Sequence, residues 1–183
     1  DDIFNIFQEK LKVTCFEQDD EESNRLNKFY NNERFNCYPY FLSDKNEKKT
    51  FYNYNHKSSS SLYKINKNFL RKFHNEKNFE IENPQEITTT TLNSIFEKEK
   101  MLNVDFMQID CEGAELDILK GASKLLNNTL CIESEILLQR NIRINAPSFS
   151  NLDDYLNTYN FSLYDLHLLR FSKVPGETRR HDY

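Results

Sequence analysis

No long run of basic residues occurs in this sequence, and acidic residues outnumber basic ones. The formal net charge is -5 and the pI is about 5.5. The densest basic stretches, residues 45–49 and 179–181, are short and interrupted. Binding to a nucleic acid requires a concentrated lysine and arginine surface that neutralises phosphates. The sequence therefore predicts no nucleic-acid partner.

Cysteine pairs at metal-ligand spacing are also lacking. Cys15, Cys37, Cys111 and Cys131 form no C-x-x-C pair, and no histidine lies at ligand spacing from any of them. A structural zinc site usually shows such spacing, so we predict no metal site. Three of the four cysteines lie in apolar segments typical of strands. We interpret them as reduced core thiols, with disulfide bonds as the alternative.

No apolar run reaches the roughly 20 residues that span a bilayer. Residues 1–16 also lack the cationic start of a signal peptide. We therefore expect no membrane span and a cytoplasmic protein. Aromatic residues are plentiful, because 15 Phe and 10 Tyr are available to bury a core. We expect one domain over residues 1–172 and a C-terminal tail over residues 173–183.

Segments with strand composition alternate with segments of helical periodicity. Strands are predicted at residues 13–16, 36–42, 50–54, 104–111, 129–137 and 161–169. Helices are predicted at residues 3–11, 20–29, 63–73, 114–126 and 149–159. This alternation is typical of an α/β fold with a mostly parallel sheet and helices on both faces. Such sheets bind ligands beyond the carboxyl ends of their strands.

Residues 56–84 interrupt the alternation because they are polar and include the serine run 58–61. Apart from the short helix predicted at residues 63–73, they show no strong periodicity. We interpret them as an insertion over the functional edge of the sheet, where a substrate wall or lid is common.

Acidic residues follow two of the predicted strands. Glu17 ends the strand at residues 13–16, where nucleotide-binding sheets place a carboxylate that accepts both ribose hydroxyls. A solvated glutamate at a strand end is the alternative. The strand at residues 104–111 runs into Asp110, Glu112 and Glu115, with Gly113 among them. Three carboxylates so close together are costly to bury unless a cation or hydrogen-bond donors lie nearby. An acidic helix N-cap is the alternative for this segment.

The same segment resembles the hallmark of a known family. Residues 105–115 are D-F-M-Q-I-D-C-E-G-A-E and residues 119–122 are L-K-G-A, a string similar to that of the FkbM methyltransferases. Further similarities occur in the family's order: F-E at 16–17, L-S-D at 42–44, S-S-L at 60–62 and T-L-N at 91–93. The likeness covers about residues 13–170. It implies a Rossmann-like class I fold and S-adenosylmethionine as the cofactor.

The resemblance also implies site residues. Glu17 would bind the ribose hydroxyls, Ser43 and Asp44 would lie near the adenine, and Asp110 and Glu112 would lie at the methyl-transfer site. The implied reaction is O-methylation of a hydroxyl on a sugar or secondary metabolite, so the acceptor is expected to be a small molecule or a glycan. A carboxylate at Asp110 or Glu112 is the candidate general base. A divalent cation held by these two acids is the alternative.

The sequence departs from the family at several positions. Gln18, Asn93 and Gln108 replace the family's Pro, Asp and Lys. The family's glycine-rich turn should precede Glu17 by about 20 residues, at or before Asp1. Only three glycines are present, so we expect the first strand and the glycine-rich loop to be missing from this sequence. A non-catalytic scaffold or interaction domain is the alternative function. A dinucleotide-dependent oxidoreductase is a third, although it leaves the string at residues 109–115 unexplained.

Overall fold

Strands and helices alternate along most of the chain. The computed structural model describes residues 10–71, 79–138 and 141–167. The chain divides into two compact units, Asp1–Leu42 and Ser43–Tyr183. Within the described ranges, no helix is both long and apolar enough to cross a bilayer. The predicted helix at residues 3–11 lies almost entirely outside these ranges, as does the predicted tail at residues 173–183.

The first unit contains a β-α-β segment. Strand β1 (Val13–Phe16) and strand β2 (Phe35–Tyr38) pair in parallel. Helix α1 (Asp20–Tyr30) connects them. The helix begins where the side chain of Asp19 accepts hydrogen bonds from two backbone amides of its first turn. A short strand, β3 (Phe41–Leu42), ends the unit. The predicted strand at residues 13–16 and the predicted helix at residues 20–29 are confirmed, whereas the strand predicted at 36–42 is divided in two.

Two polar residues of α1 attach the helix to β2. Asn27 accepts a hydrogen bond from Cys37 N at 2.8 Å and donates one to Cys37 O at 2.8 Å. Ser23, which is buried, donates to the same carbonyl oxygen at 3.0 Å. These side chains satisfy backbone groups of β2 on the side facing the helix. All four cysteines of the chain, Cys37 included, are free thiols.

The second unit begins with an antiparallel strand pair. Strand β4 (Lys48–Tyr54) pairs with strand β5 (Ile81–Thr90), with a register shift between Asn53 and Tyr54. The expectation of a mostly parallel sheet therefore does not hold for this pair. The expectation that residues 56–84 form an insertion is wrong at its end, because β5 already begins at Ile81. The sequence did not predict β5 because proline is rare inside strands and β5 contains Pro84. In the structure, Pro84 lies opposite Tyr52 of β4.

The segment between β4 and β5 has a small core of its own. It contains a 3-10 turn (Lys57–Ser59) and helix α2 (Lys67–Leu70), shorter than the helix predicted at residues 63–73. Tyr54, Ile65 and Leu70 are buried together. The hydroxyl of Tyr54 accepts a hydrogen bond from Ile65 N at 2.7 Å. The segment is therefore packed against β4 through apolar contacts and a buried hydrogen bond.

The remainder of the second unit contains the parallel pair. Strand β6 (Phe106–Ile109) and strand β7 (Cys131–Ser134) pair in parallel and confirm the strands predicted there, in shorter form. The helices are α3 (Leu92–Lys98), α4 (Glu115–Gly121) and α5 (Phe149–Asn157). The helix predicted at residues 114–126 stops at Gly121, and a 3-10 turn (Leu126–Asn128) follows it. Residues 161–167 form no strand, although one was predicted from residue 161.

Helix α4 packs against the chain at Ser43. A Cβ atom on Gly121 would lie 2.2 Å from the carbonyl oxygen of Ser43. Such a distance is far below van der Waals contact, and the obstacle is backbone that cannot rotate away. Leu119 and Ala122, on either side, are completely buried. The glycine of the L-K-G-A string is therefore required by the close approach of helix and backbone.

We expect Gly121→Ala to destabilise the protein by about 1–3 kcal/mol, because the new methyl group overpacks this contact. Chemical denaturation monitored by circular dichroism measures the change. Lys120→Ala is the matched control: Lys120 is exposed one residue earlier in the same helix. Equal stability of Gly121→Ala and the wild-type protein would contradict the close contact.

Candidate functional site

A sharp turn follows β6 and carries the acidic residues of the hallmark string. Asp110 is exposed directly after the strand. Glu112 and Gly113 both have positive φ angles, 53° and 102°. A left-handed backbone is unfavourable for glutamate by roughly 1 kcal/mol or more and acceptable for glycine. The turn redirects the chain so that α4 begins at Glu115, two residues later.

The buried side chain of Glu115 binds the backbone of this turn through hydrogen bonds. The residue is only 4% exposed, and its Oε1 accepts hydrogen bonds from Cys111 N and Gly113 N, each at 3.0 Å. Burial raises the pKa of Glu115 above its ordinary value, although these backbone donors oppose the shift. A buried carboxylate needs hydrogen-bond donors, and two backbone amides of the turn supply them.

Glu112 is paired with a buried arginine. Arg143 has a side chain only 2% exposed, and its Nη2 donates to Glu112 Oε2 at 2.5 Å. The guanidinium also donates to the carbonyl oxygens of Ser59 at 2.9 Å and Tyr63 at 3.0 Å. Ser61 Oγ donates to the backbone oxygen of Glu112 at 2.9 Å. These bonds stabilise Glu112 in its left-handed backbone conformation, and the Glu112 carboxylate is occupied by Arg143.

Asp110 has an acidic partner on the neighbouring strand. Ile109 lies opposite Ser134 in the parallel register, and Glu135 N donates to Ile109 O at 2.8 Å. Asp110 and Glu135 are therefore placed side by side just beyond the strand ends. A hydrogen bond between their carboxyl groups, together with burial and the negative charge of Asp110, raises the pKa of Glu135 to about 8. Glu135 therefore keeps its proton into the neutral pH range.

A second polar cluster surrounds Ser43 and Asp44, the residues expected near an adenine. Ser43 is completely buried, and its Oγ donates to Asp44 Oδ1 at 3.1 Å. Lys49 Nζ donates to Ser43 Oγ at 2.7 Å and to Asp44 Oδ1 at 2.8 Å. Burial tends to raise the pKa of Asp44, but Lys49 and Ser43 outweigh it and the pKa lies below its ordinary value.

Glu17 lies in the first unit, at the carboxyl end of β1 as expected. It is half-buried. Its backbone amide donates to Tyr38 O at 3.1 Å, and its Oε1 accepts from Asp19 N at 3.1 Å. The side chain is thereby held against the start of α1. A carboxylate fixed in this way retains lone pairs for further donors.

Asn93, one of the departures from the family string, has a structural role. Its Oδ1 accepts from Lys124 N at 3.1 Å, and its Nδ2 donates to Ser123 Oγ at 3.1 Å. The amide therefore satisfies polar groups just beyond the end of α4, using both its acceptor and its donor. An aspartate could serve only as an acceptor there when ionised.

Sequence reasoning missed three residues of these clusters: Lys49, Glu135 and Arg143. Arg143 carried a weak signal, since it is a cation between two isoleucines. Glu135 lies directly after β7, as Asp110 lies directly after β6, but the strand predicted at residues 129–137 extended two residues past it. Among the described residues, no group of three or more His, Cys, Asp or Glu is arranged to hold a metal ion.

The parallel strand pairs and the connecting helices are consistent with a methyltransferase-like α/β fold. The model of the methyltransferase FkbM domain family matches residues 7–163 of the chain. The chain therefore belongs to the FkbM methyltransferase domain family. No curated protein and no solved structure matches it.

We expect Arg143→Met to lower the free energy of unfolding by about 3 kcal/mol, because it breaks a buried ion pair and leaves two carbonyl oxygens without their donor. Urea denaturation measures the loss. Arg25→Met is the control: Arg25 pairs with Glu22, but its side chain is 61% exposed, so stability should hardly change. Similar effects of the two substitutions would contradict a special role for the buried pair.

The Asp110 and Glu135 pair predicts a pH effect. The folded-state pKa of Glu135, about 8, lies above its ordinary value of 4.5. The resulting stabilisation is therefore complete below about pH 4.5 and is lost as the pH rises through about 8. We expect an NMR titration of the Glu135 carboxyl carbon to give a raised midpoint, and Asp110→Ala to lower it. Asp105→Ala, at the other end of β6, should leave it unchanged. A midpoint that is insensitive to Asp110→Ala would disprove the pairing.

Proposed function

We propose that this protein is an S-adenosylmethionine-dependent methyltransferase that methylates a hydroxyl oxygen of a small molecule or glycan, such as a sugar or secondary metabolite. The observation that carries the proposal is the exposed Asp110 and Glu135 pair just beyond β6 and β7, beside the turn that holds the family's hallmark string. Ligands of α/β sheets bind at such strand ends.

The acidic residues are suited to a cofactor that offers donors and carries positive charge. Glu17 would accept hydrogen bonds from the ribose hydroxyls, because one carboxylate can take two O–H donors. Asp44 would accept from the adenine amino group. Ser43 would contribute indirectly, since its buried hydroxyl is bonded to Asp44. Asp110 would lie at the end of the cofactor that carries the methyl group.

Asp110 is the residue to which we assign the proton transfer. When bound, the cofactor supplies a methyl group on a positively charged sulfur, which becomes neutral as the methyl group leaves. The acceptor hydroxyl loses its proton as its oxygen forms the new bond, and a nearby carboxylate can take that proton. Asp110 is exposed and lies beside Glu135, whose pKa is raised to about 8.

Glu112 is less suited to serve as the base, although the family resemblance implied it. Its carboxylate already accepts a hydrogen bond from the buried guanidinium of Arg143. Taking up a proton would therefore leave a buried cation without its counter-charge. We propose that Glu112 shapes the turn that presents Asp110.

The acceleration of methyl transfer should come mainly from aligning the acceptor oxygen, the methyl carbon and the sulfur.

We expect substitutions of Glu17 and Asp110 to affect different kinetic constants. Glu17→Ala removes hydrogen bonds made in both ground and transition states, so the cofactor KM should rise about tenfold to a hundredfold with kcat little changed. Asp110→Asn keeps the shape but removes the base, so kcat should fall by about a hundredfold or more. Steady-state kinetics of the full-length protein, with its glycine-rich loop and a radiolabelled methyl donor, measures both constants.

Asp105→Asn makes the same substitution at the opposite end of β6 and should retain wild-type kinetics. Near-normal kcat for Asp110→Asn at saturating substrates would place the base elsewhere. Failure of the full-length protein, with its glycine-rich loop, to bind S-adenosylhomocysteine in a calorimetric titration would overturn the proposed cofactor and favour a non-catalytic module.

A further inference from the structure

Lys49 is the one cation of a cluster that contains three carboxylates. Its Nζ lies 2.8 Å from Asp44 Oδ1, 3.5 Å from Glu47 Oε1 and 3.9 Å from Asp117 Oδ2. The lysine side chain is 22% exposed. An ammonium group at such depth retains its charge because opposite charges surround it, and the pKa of Lys49 is raised despite the opposing effect of burial.

Asp117 is the most distant carboxylate of this cluster, 3.9 Å from Lys49 Nζ. Its carboxylate accepts a hydrogen bond from the Tyr63 hydroxyl at 2.7 Å. The residue lies on α4, the helix that packs against the backbone of Ser43 through Gly121. Lys49 therefore hydrogen-bonds to the side chains of Ser43 and Asp44 and forms a longer ion pair with the carboxylate of Asp117 on α4.

The contacts to Asp44 are unequal between its two oxygens. Lys49 Nζ and Ser43 Oγ both donate to Oδ1. Lys49 also donates to Ser43 Oγ, which leaves the serine proton directed to Asp44. Two donors on one oxygen fix the carboxylate, while Oδ2 retains lone pairs that can accept from a ligand.

The orientation matters for the choice between purine bases. Adenine carries an amino group at position 6, which can donate to a carboxylate oxygen. Hypoxanthine carries an oxygen at that position, which can only accept and is repelled by a carboxylate. A site that places one ionised carboxylate oxygen at position 6 therefore rejects hypoxanthine, because acceptor would face acceptor.

We propose that Lys49 is a positioning residue that fixes Asp44 for recognition of the 6-amino group, and so determines the preference of the site for adenine over hypoxanthine. This inference rests on the proposed cofactor function. Without Lys49, the carboxylates of Asp44, Glu47 and Asp117 would repel one another. Asp44 would then turn toward solvent or take up a proton.

The test is calorimetric titration, in the full-length protein with its glycine-rich loop, of the wild type, Lys49→Met and Lys48→Met with two ligands. The ligands are S-adenosylhomocysteine and S-inosylhomocysteine, which differ at position 6 of the base. We expect the wild-type protein to prefer the adenosyl compound by about tenfold to a hundredfold, the range of a hydrogen bond to a charged group. Lys49→Met should lose most of this preference while its affinity for the inosyl compound stays the same.

Lys48→Met is the matched control. Lys48 is the preceding residue of β4, and its side chain is 72% exposed and paired with Glu86. This substitution removes the same charge from the same strand and should retain the wild-type preference. Lys49→Arg, which keeps a cation and its donors, should restore part of the preference. A general loss of stability would weaken binding of both ligands equally.

The outcomes separate the inference from the function on which it rests. A wild-type preference retained in Lys49→Met would overturn the role of Lys49 and leave the cofactor assignment intact, as would equal binding of both ligands by the wild-type protein. Absence of binding by the wild-type protein would overturn both. An NMR titration of the Asp44 carboxyl group provides a ligand-free check. The pKa of Asp44 should rise in Lys49→Met, or in Lys49→Gln if Lys49→Met does not fold. An unchanged pKa of Asp44 would also overturn the proposal.

Discussion

The buried guanidinium of Arg143 is the interaction on which the shape of the acidic turn depends. A buried cation is tolerated when a counter-charge and hydrogen-bond acceptors compensate it, and in Arg143 the two Nη groups find them, whereas Nε has no hydrogen-bond partner among the described residues. Here the partners come from two segments far apart in sequence, Glu112 after β6 and the carbonyl oxygens of Ser59 and Tyr63. The absence of a side chain at Gly113 leaves room for the arginine, since a Cβ there would lie 3.1 Å from its Cδ. Turn, arginine and the segment after β4 must therefore form together.

Much of the secondary structure could be predicted because it depends on local sequence. The strand at residues 13–16 and the helix beginning at Asp20 follow from apolar composition and from acids at the helix start. Strand β5 could not be predicted, because it contains a proline, most of its residues are exposed, and its antiparallel pairing with β4 is a long-range contact. The strand predicted from residue 161 is the opposite error. The composition of these residues is apolar, but no partner strand pairs with them in the described part of the chain.

The candidate site shows the same division between local and long-range information. Acids at strand ends were visible in the sequence, but their partners were not. Glu112, Glu115 and Asp110 stand within six residues, yet one binds a distant arginine, one binds its own turn and one lies beside Glu135 at the ends of β6 and β7. Sequence spacing identifies which carboxylates meet at one edge of a sheet. Only the folded structure shows which of them are already occupied by intramolecular donors.

The contact at Gly121 also constrains how this part of the molecule can move. A helix that rests on a carbonyl oxygen through a glycine cannot rotate about its axis without bringing a side chain into that oxygen. Ser43 and α4 are therefore expected to shift together as one rigid body. Asp117, carried on the same helix, would follow any displacement of the Ser43 backbone. A small movement at one end of the polar cluster would thus be transmitted mechanically to the acidic turn at the start of the helix.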